Sequence, residues 1–317
     1  MKMLLMTLAL LTAFPPEDSL RVMFWNLENF FDWRNDTTGV SDAEFSSRGT
    51  RHWTRKRFQS KSNAIAKSIF WVSEKEGALP DIIGLAEVEN AFVLRRLVQS
   101  TALEKLDYKP GHFDSPDRRG IDVALLYRTS RLSLQSAKPC HLYVDTAMLH
   151  TRDILLAEFL TNSGDSLAVL VNHHPSKYGG AALSDSRRRI AVNRLKSLVD
   201  SLLSTHNNRI VAIGDFNDTP DNPLYGELDS ALVNLSMPLH RNHLGTIRYD
   251  GGWELIDLCF VSRSISSSST LEILYIPFLM VPDRAHGGFK PLRTYSGPRY
   301  LGGVSDHCPI LLKISKI

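Results

Sequence analysis

Five polar clusters stand at or just beyond apolar runs of the sequence. They are Asn26 in FWNLENFFD, Glu87 in IIGLAEVEN, His173 in LVNHHPSKYGG, Asp215 with Asn217 in AIGDFNDTP, and Asp306 with His307 in GGVSDHCPI. Asp257 lies upstream of the last, in ELIDLCF. A carboxylate at the end of a buried strand is costly to dehydrate unless a metal or a donor compensates it. Asn26, Glu87 and Asp306 offer hard oxygen ligands without a thiolate or a set of three histidines, a mixture that suits Mg²⁺ or Mn²⁺. The chain has no H-E-x-x-H and no C-x-x-C pair to favour zinc. His307, with Asp257 as a second buried carboxylate, suits a base whose ring tautomer is fixed by an acid. Metal-assisted attack of water on phosphorus needs these parts: charge neutralisation on the non-bridging oxygens and an in-line nucleophile. The chemistry indicated is phosphoester hydrolysis.

Each cluster taken alone also has a plain structural reading. Asn26 could cap a strand end, and Glu87 and Glu89 could be exposed charges before a helix that Asn90 caps. His173 and His174 could be loop residues, GDFND could be a turn, and SDH is common by chance. The case rests on all five in this order and spacing.

These residues must be positioned by the elements around them. Apolar runs of strand length cover 21–26, 80–88, 121–128, 153–160, 166–173, 209–217, 254–262 and 308–314, several of them apolar at nearly every position, as expected for strands covered on both faces. Helical stripes recur over 57–74 (Phe58, Ile65, Ile69, Val72), over 91–106 (Val93, Leu94, Leu97, Val98) and over 184–203 (Ala191, Leu195, Leu198, Leu202). Irregular stretches cover 32–55, 174–183, 236–252 and 262–305. The last is too long for a structureless loop, and we expect a strand at 271–276 within it. No Gly/Pro-rich linker divides the chain, so residues 20–317 read as one domain. With 43% hydrophobic and 22% charged residues, the 317-residue chain can bury a sizeable core, which argues against disorder. A net charge of +3 permits a polyanionic substrate but is no footprint of tight nucleic-acid binding.

Residues 1–19 open with one lysine and an apolar run from Met3 to Phe14, too short to span a bilayer. The pattern fits a secretory signal peptide, so export to a periplasmic or secreted location is expected. The alternative is an apolar N-terminal segment packed on the core. Cys140, Cys259 and Cys308 are too few and too scattered for a disulfide framework. No later run is long enough to cross a membrane.

The chain resembles the endonuclease/exonuclease/phosphatase superfamily, which includes DNase I, the exonuclease III type of abasic endonuclease, sphingomyelinases and inositol-polyphosphate 5-phosphatases. The pieces carrying the resemblance are WN at 25–26, LAEVEN at 85–90, GIDVALLY at 120–127, VNHHPSK at 171–177, GDFND at 214–218, LIDLCFVS at 255–262 and SDHCPI at 305–310. The resemblance implies a four-layered α/β sandwich, with two mixed sheets face to face and helices outside. It implies Glu87 as principal metal ligand, helped by Asn26 and Asp306, around one metal or two. His307 would be general base or phosphate-stabilising donor, oriented by Asp257. Asp215 would position or deprotonate the attacking water, and Asn217 would hold a phosphate oxygen. His173 resembles the second histidine of the DNase I and phosphatase branches, where it contacts the phosphate or protonates the leaving group. The abasic-endonuclease branch has an asparagine there, so the chain departs from that branch. WNLENFFD with LAEVEN is similar to secreted bacterial nucleases of the superfamily.

Substrate selection is sought in the basic residues. Arg48, Arg51, Arg55, Lys56, Arg57 and Lys61 fall close together, interleaved with Trp53 and Phe58. The rings could stack on bases while the cations bind phosphates, or they could simply pack in the core. Arg188 and Arg189 on the helix after VNHHPSK, with Lys177 and Arg119, are further candidates to reach the cleft. The leading expectation is a monomeric phosphodiesterase or endonuclease with nucleic acid as substrate. The alternative is a phosphatase or phosphodiesterase for a small or lipid-linked phosphate such as an inositol phosphate. A non-enzymatic binding module is disfavoured, because a decayed site should have lost at least one of Glu87, Asp215, Asn217, Asp306 and His307.

Overall fold

The computed structural model of the chain describes residues 19–35, 40–176, 181–205 and 208–316, with the side chains of 181–184 left aside. All of the expected leader except Ser19 lies outside the described residues. Among the described residues, twelve strands build two sheets. In chain order they are β1 (Leu20–Phe30), β2 (Ile82–Val88), β3 (Tyr108–His112), β4 (Asp122–Arg128), β5 (Leu132–Cys140), β6 (Ile154–Thr161), β7 (Ser166–His173), β8 (Ile210–Asp215), β9 (Leu232–Asn234), β10 (Asp257–Ser262), β11 (Ser269–Ile273) and β12 (Ile310–Ile314). The first sheet runs β11-β12-β1-β2-β4-β3 and the second β9-β10-β8-β7-β6-β5. Each sheet has one parallel pair at its centre, β1 with β2 and β7 with β8, flanked by antiparallel neighbours.

Side-chain alternation along β1 shows how the layers form. Val22 and Phe24 point into the core shared with the second sheet, whereas Met23, Trp25 and Leu27 point to the other face. That outer face is covered by α1 (Arg55–Glu76) through Phe58, Ile65, Ile69 and Val72, and by α2 (Ala91–Gln99) through Val93, Leu94 and Leu97. The far face of the second sheet is covered by α3 (Ala181–Ser204), which buries Ala191, Leu195, Leu198 and Leu202. The order helix, sheet, sheet, helix is the expected four-layered sandwich. No helix among the described residues is long and apolar enough to cross a membrane. The three cysteines are free and buried.

Local chemistry sets the helix ends. Thr54 caps α1 by accepting from the Arg57 amide at 3.3 Å, and Gly77 closes it in the left-handed region at φ 69°. Asn90 caps α2 through the Val93 amide at 3.0 Å. The expected helix over 91–106 stops at Gln99. The Ser100 and Thr101 hydroxyls turn back to the carbonyls of Arg96 and Leu97, and a separate 3₁₀ turn, Ala102–Lys105, follows.

Three strands, β3, β5 and β9, have no counterpart in the sequence reading. All three are edge strands, and β3 and β5 contain proline, Pro110 and Pro139, which an edge tolerates and a central strand does not. The run 254–262 divides into a hairpin strand, Gly252–Glu254, and β10. The stretch 262–305 holds β11 at 269–273 rather than 271–276. It also holds two hairpins, Met280–Pro282 with Phe289–Pro291 and Tyr295–Ser296 with Arg299–Tyr300.

Candidate active site

The parallel pairs and their antiparallel neighbours bring the polar clusters to one end of the sandwich. In the second sheet His173 ends β7, Asp215 ends β8 and Asp257 begins β10, and Asp215 is in register with both of the others. Gly214 makes this register possible. A Cβ there would meet the Asn172 carbonyl oxygen at 2.1 Å, so a larger residue would push β8 off β7. In the first sheet the registers of β1 with β2 and of β2 with β4 both shift at this end. The bulges put Glu28, Asn29 and Glu87 in the left-handed region, at φ 47°, 53° and 58°. Such backbone costs on the order of 1–2 kcal/mol per residue and here re-aims polar side chains toward the strand ends.

His307 lies between the two sheets. Its Nδ1 is 2.8 Å from Asp257 Oδ2, and its Nε2 is 3.9 Å from Asp215 Oδ2 and 4.0 Å from Asp306 Oδ1. Burial disfavours its charge, but the field and hydrogen bond of Asp257, joined by Asp215 and Asp306, outweigh that and hold its pKa well above the ordinary value. Burial, with the nearby Asp257 charge, pushes Asp215 up to about 7 against the opposing pull of His307. His173 Nε2 is 3.7 Å from Asp215 Oδ2. Burial, followed by the charges of Arg152 and Arg119, lowers the His173 pKa well below the ordinary value, so this ring is neutral. Asn217, in the left-handed region at φ 53°, donates its amide to the His174 carbonyl at 2.9 Å, while its backbone amide binds Asp215 Oδ1 at 2.9 Å.

The first sheet supplies a facing set of charges. Glu87 Oε2 accepts from the Asn29 amide at 2.7 Å and lies 3.6 Å from Arg119 Nη2. Asn26 donates to Asp215 Oδ2 at 3.0 Å and accepts from the Glu28 amide at 2.9 Å, which leaves its amide oxygen one further acceptor position. Glu28 is buried and receives the Thr294 amide at 2.7 Å and Arg293 Nε at 3.2 Å. Arg293 continues to Asp306, with Nη2 2.8 Å from Oδ2. Lys61, wholly buried, donates to the Glu28 carbonyl at 2.6 Å and to the Thr294 hydroxyl at 2.8 Å. Burial, then the Asp306 charge, pushes Glu28 up to about 7, and burial lowers Lys61 to about 8.

The structure distributes the remaining expected substrate residues unevenly. Arg119 is at the site, bound to Asn29 Oδ1 at 2.8 Å. Arg188 is buried and paired with Asp218 at 3.2 Å and with Asp185, while Arg189 is exposed on α3. Lys177 lies outside the described residues. Trp53 and Phe58 are fully buried, the second of the two readings open to them in the sequence. Arg57 binds the Arg51 and His52 carbonyls at 2.8 and 2.9 Å and lies 4.2 Å over the Tyr300 ring, while Lys56 projects into solvent. Sequence reasoning missed Glu28, Arg293, Arg152 and His174. Arg152 donates to the His174 carbonyl at 2.6 Å, the same oxygen that orients Asn217. The signal for Glu28 was its place two residues after Asn26; Arg293 lay in a stretch with no periodicity to place it.

Two groups of described side chains bring three possible metal-ligating atoms within 4.8 Å of one another: Asp215, Asp257 and His307, and His112, Asp114 and Asp122. The first group is buried and internally hydrogen-bonded. In the second, His112 Nε2 is 2.9 Å from Asp122, and Asp114 is largely exposed. On the facing side, Asn26, Glu87 and Asp306 offer oxygen atoms of the hard type that suits a divalent cation. The carboxylates of Glu28, Glu87 and Asp306 face three cations, Lys61, Arg293 and Arg119, and burial first, then the Asp306 charge, raises Glu28.

Residues 21–316 match the sequence model of a family described as the Endonuclease/Exonuclease/phosphatase family. Among solved structures, the chain is similar to a mannosyl-6-phosphatase from Bacteroides thetaiotaomicron VPI-5482 (16% identity, TM-score 0.59, 92% of this chain and 98% of that one). It is also similar to the human nocturnin catalytic domain with bound sulfate (17%, 0.59, 96% and 100%) and to Danio rerio TDP2 complexed with a single-stranded DNA product (13%, 0.55, 93% and 98%). At these identities the likeness shows the fold. No curated protein matches the chain.

Proposed function

Because the chain belongs to the endonuclease/exonuclease/phosphatase family, we propose that it is a divalent-metal-dependent phosphodiesterase acting on nucleic acid. The observation that carries the reading is the meeting of Asp215, Asp257 and His307 at the strand ends, opposite Glu87 and Asp306. Glu87, Asp306 and Asn26 would hold Mg²⁺ or Mn²⁺, which when bound neutralises charge on the phosphate oxygens. His307, kept protonated by Asp257, donates to a phosphate oxygen and gives its Nε2 proton to the leaving oxygen as the ester bond breaks. Asp215, poised near neutral pH, accepts the proton of the attacking water. Asn217, its amide fixed by the His174 carbonyl, offers its remaining hydrogen to a second oxygen. His173, being neutral, serves as a phosphate contact rather than as the acid for the leaving group.

Support for a polymeric substrate comes from cations beyond the reacting centre. A cavity of about 340 Å³ beside Pro175 is lined by Arg118, Arg187 and Arg152, the last paired with Asp117, and another of about 290 Å³ at Asp306 is lined by Arg248, Lys290 and Arg293. Phosphates to either side of a scissile diester would meet these charges. Their compactness, together with the burial of Trp53 and Phe58, favours a second reading, hydrolysis of a small phosphate ester. The similarity to a phosphatase and to a DNA-bound enzyme of one fold accords with both. The protein would act as an exported monomer, of the kind its WNLENFFD and LAEVEN segments resemble. Assay of the purified chain on plasmid DNA, bis-p-nitrophenyl phosphate and inositol phosphates, with Mg²⁺ or with EDTA, tests the proposal. Metal-dependent nicking supports it. Inert DNA with turnover of a small ester transfers the conclusion to the second reading.

A further inference from the structure

We infer that the cavity at Asp306 is a subsite for a second phosphate of the substrate, adjoining the one that is cleaved. The inference rests on the phosphoesterase reading and deepens it by naming a feature the substrate must carry.

The cavity of about 290 Å³ shares Asp306 with the catalytic end, and Arg293 stands on its wall. Arg293 is gripped from within. Its Nε is held by Glu28, which is itself pinned by the Thr294 amide, and its Nη2 reaches Asp306. The side chain is 48% exposed, so the guanidinium has a fixed orientation and an open face. Further along the wall, Arg248 and Lys290 share one buried carboxylate, Asp283. Lys290 Nζ is 3.1 Å from Oδ1, and Arg248 Nε is 3.5 Å from Oδ2. One acid for two cations leaves this pair with an excess positive charge. Arg248 is further anchored to the carbonyls of Gly287 and Phe289 at 2.8 and 3.0 Å, whereas Lys290 is 44% exposed and can turn toward an anion.

An isolated monoester has nothing to place among these groups once its phosphate is at Asp215 and His307. A substrate with a second phosphate does, and charge-assisted contacts from Lys290 and Arg293 would select it. The second phosphate could belong to the adjoining nucleotide of a chain or to another position on a small polyol.

The experiment compares KM and kcat for thymidine dinucleotide without a terminal phosphate, with a 5′ phosphate and with a 3′ phosphate. A second arm compares inositol bisphosphate with inositol monophosphate. Each is run with the parent enzyme and with Lys290→Ala, which leaves Asp283 its pairing with Arg248. The expected result is a KM about tenfold lower for one doubly phosphorylated form than for its singly phosphorylated or unphosphorylated counterpart, a ratio that shrinks toward one in Lys290→Ala. Arg293→Lys should retain part of the preference. Equal KM values in the parent, or a preference untouched in Lys290→Ala, overturn the subsite. Inert dinucleotides with a preserved bisphosphate preference would remove the nucleic-acid reading and keep the subsite. Turnover of no ester at all would remove both.

Discussion

The indole nitrogen of Trp25 donates to the carbonyl oxygen of His307 at 2.8 Å, joining residues 282 positions apart. A second clamp lies beside it. The Ser305 hydroxyl donates to the Asn26 carbonyl at 2.6 Å and accepts from the His307 amide at 3.0 Å. The WN pair near the start of the domain thus holds the backbone of the SDH segment near its end, which places the His307 ring between Asp257 and Asp215.

Ser305→Ala should therefore impair catalysis through position. Losing one buried hydroxyl that serves two backbone groups should cost about 1–3 kcal/mol of stability. It should lower kcat roughly tenfold with KM little changed. Urea unfolding and steady-state kinetics measure the two effects. Full kcat in a folded Ser305→Ala protein would show that the clamp does not position His307.

Asp257→Asn keeps the shape of the Asp257 side chain and removes its charge. The raised pKa of His307 should fall toward its ordinary value, followed by NMR of the ring protons, and the rate should drop roughly 10²–10⁴-fold. An unshifted His307 titration would mean that Asp257 does not set its charge.

Stability should decline in mild acid because of His174. Burial, with the charges of Arg152 and Arg188, depresses its pKa from 6.5 to about 3. The folded chain keeps this ring neutral while the unfolded chain protonates it, so the unfolded state binds the extra proton between those values. The contribution is present above pH 6.5 and is lost as pH falls through the window, by at most ~1.4 kcal/mol per pH unit. His174→Gln should flatten the plot of unfolding free energy against pH by up to one proton, and an unchanged slope would contradict the assignment.

Phe58 is fully buried and stacks on Phe30, with ring centroids 5.2 Å apart. Phe58→Ala should lose about 3–5 kcal/mol of stability. KM for an oligonucleotide should stay the same at a temperature where the variant is folded. A stable variant with a raised KM would restore the base-stacking role.

The sequence made the central strands and the ends that carry chemistry legible, because residues such as Val169, Leu170 and Val171, or Ile210 to Ile213, are apolar on both faces and stop at His173 and Asp215. The edge strands β3 and β5 were hidden by Pro110, Pro139 and alternating exposure, since an edge strand needs only one buried face. Helix periodicity placed Phe58 correctly on a buried face, yet the same spacing could not say whether Trp53 beside it faced core or solvent. The guanidinium of Arg293 reaches Glu28 across 265 positions from a stretch of short hairpins, and no local pattern carries that contact. The opposed shifts of His173 and His307 were equally illegible, because they depend on which charges surround two rings of one residue type.

On the proposed reading, the Glu87 and Asp306 side of this strand-end site holds the divalent cation that phosphoester hydrolysis requires. The most direct test is the rate of bis-p-nitrophenyl phosphate hydrolysis as a function of Mg²⁺ concentration for the parent enzyme and for Glu87→Gln, alongside Mn²⁺ binding by calorimetry. Turnover should be absent in EDTA, and Glu87→Gln should raise the half-saturating Mg²⁺ concentration and the Mn²⁺ dissociation constant about tenfold or more. Hydrolysis that persists in EDTA, or curves that superimpose for the two proteins, would contradict this reading.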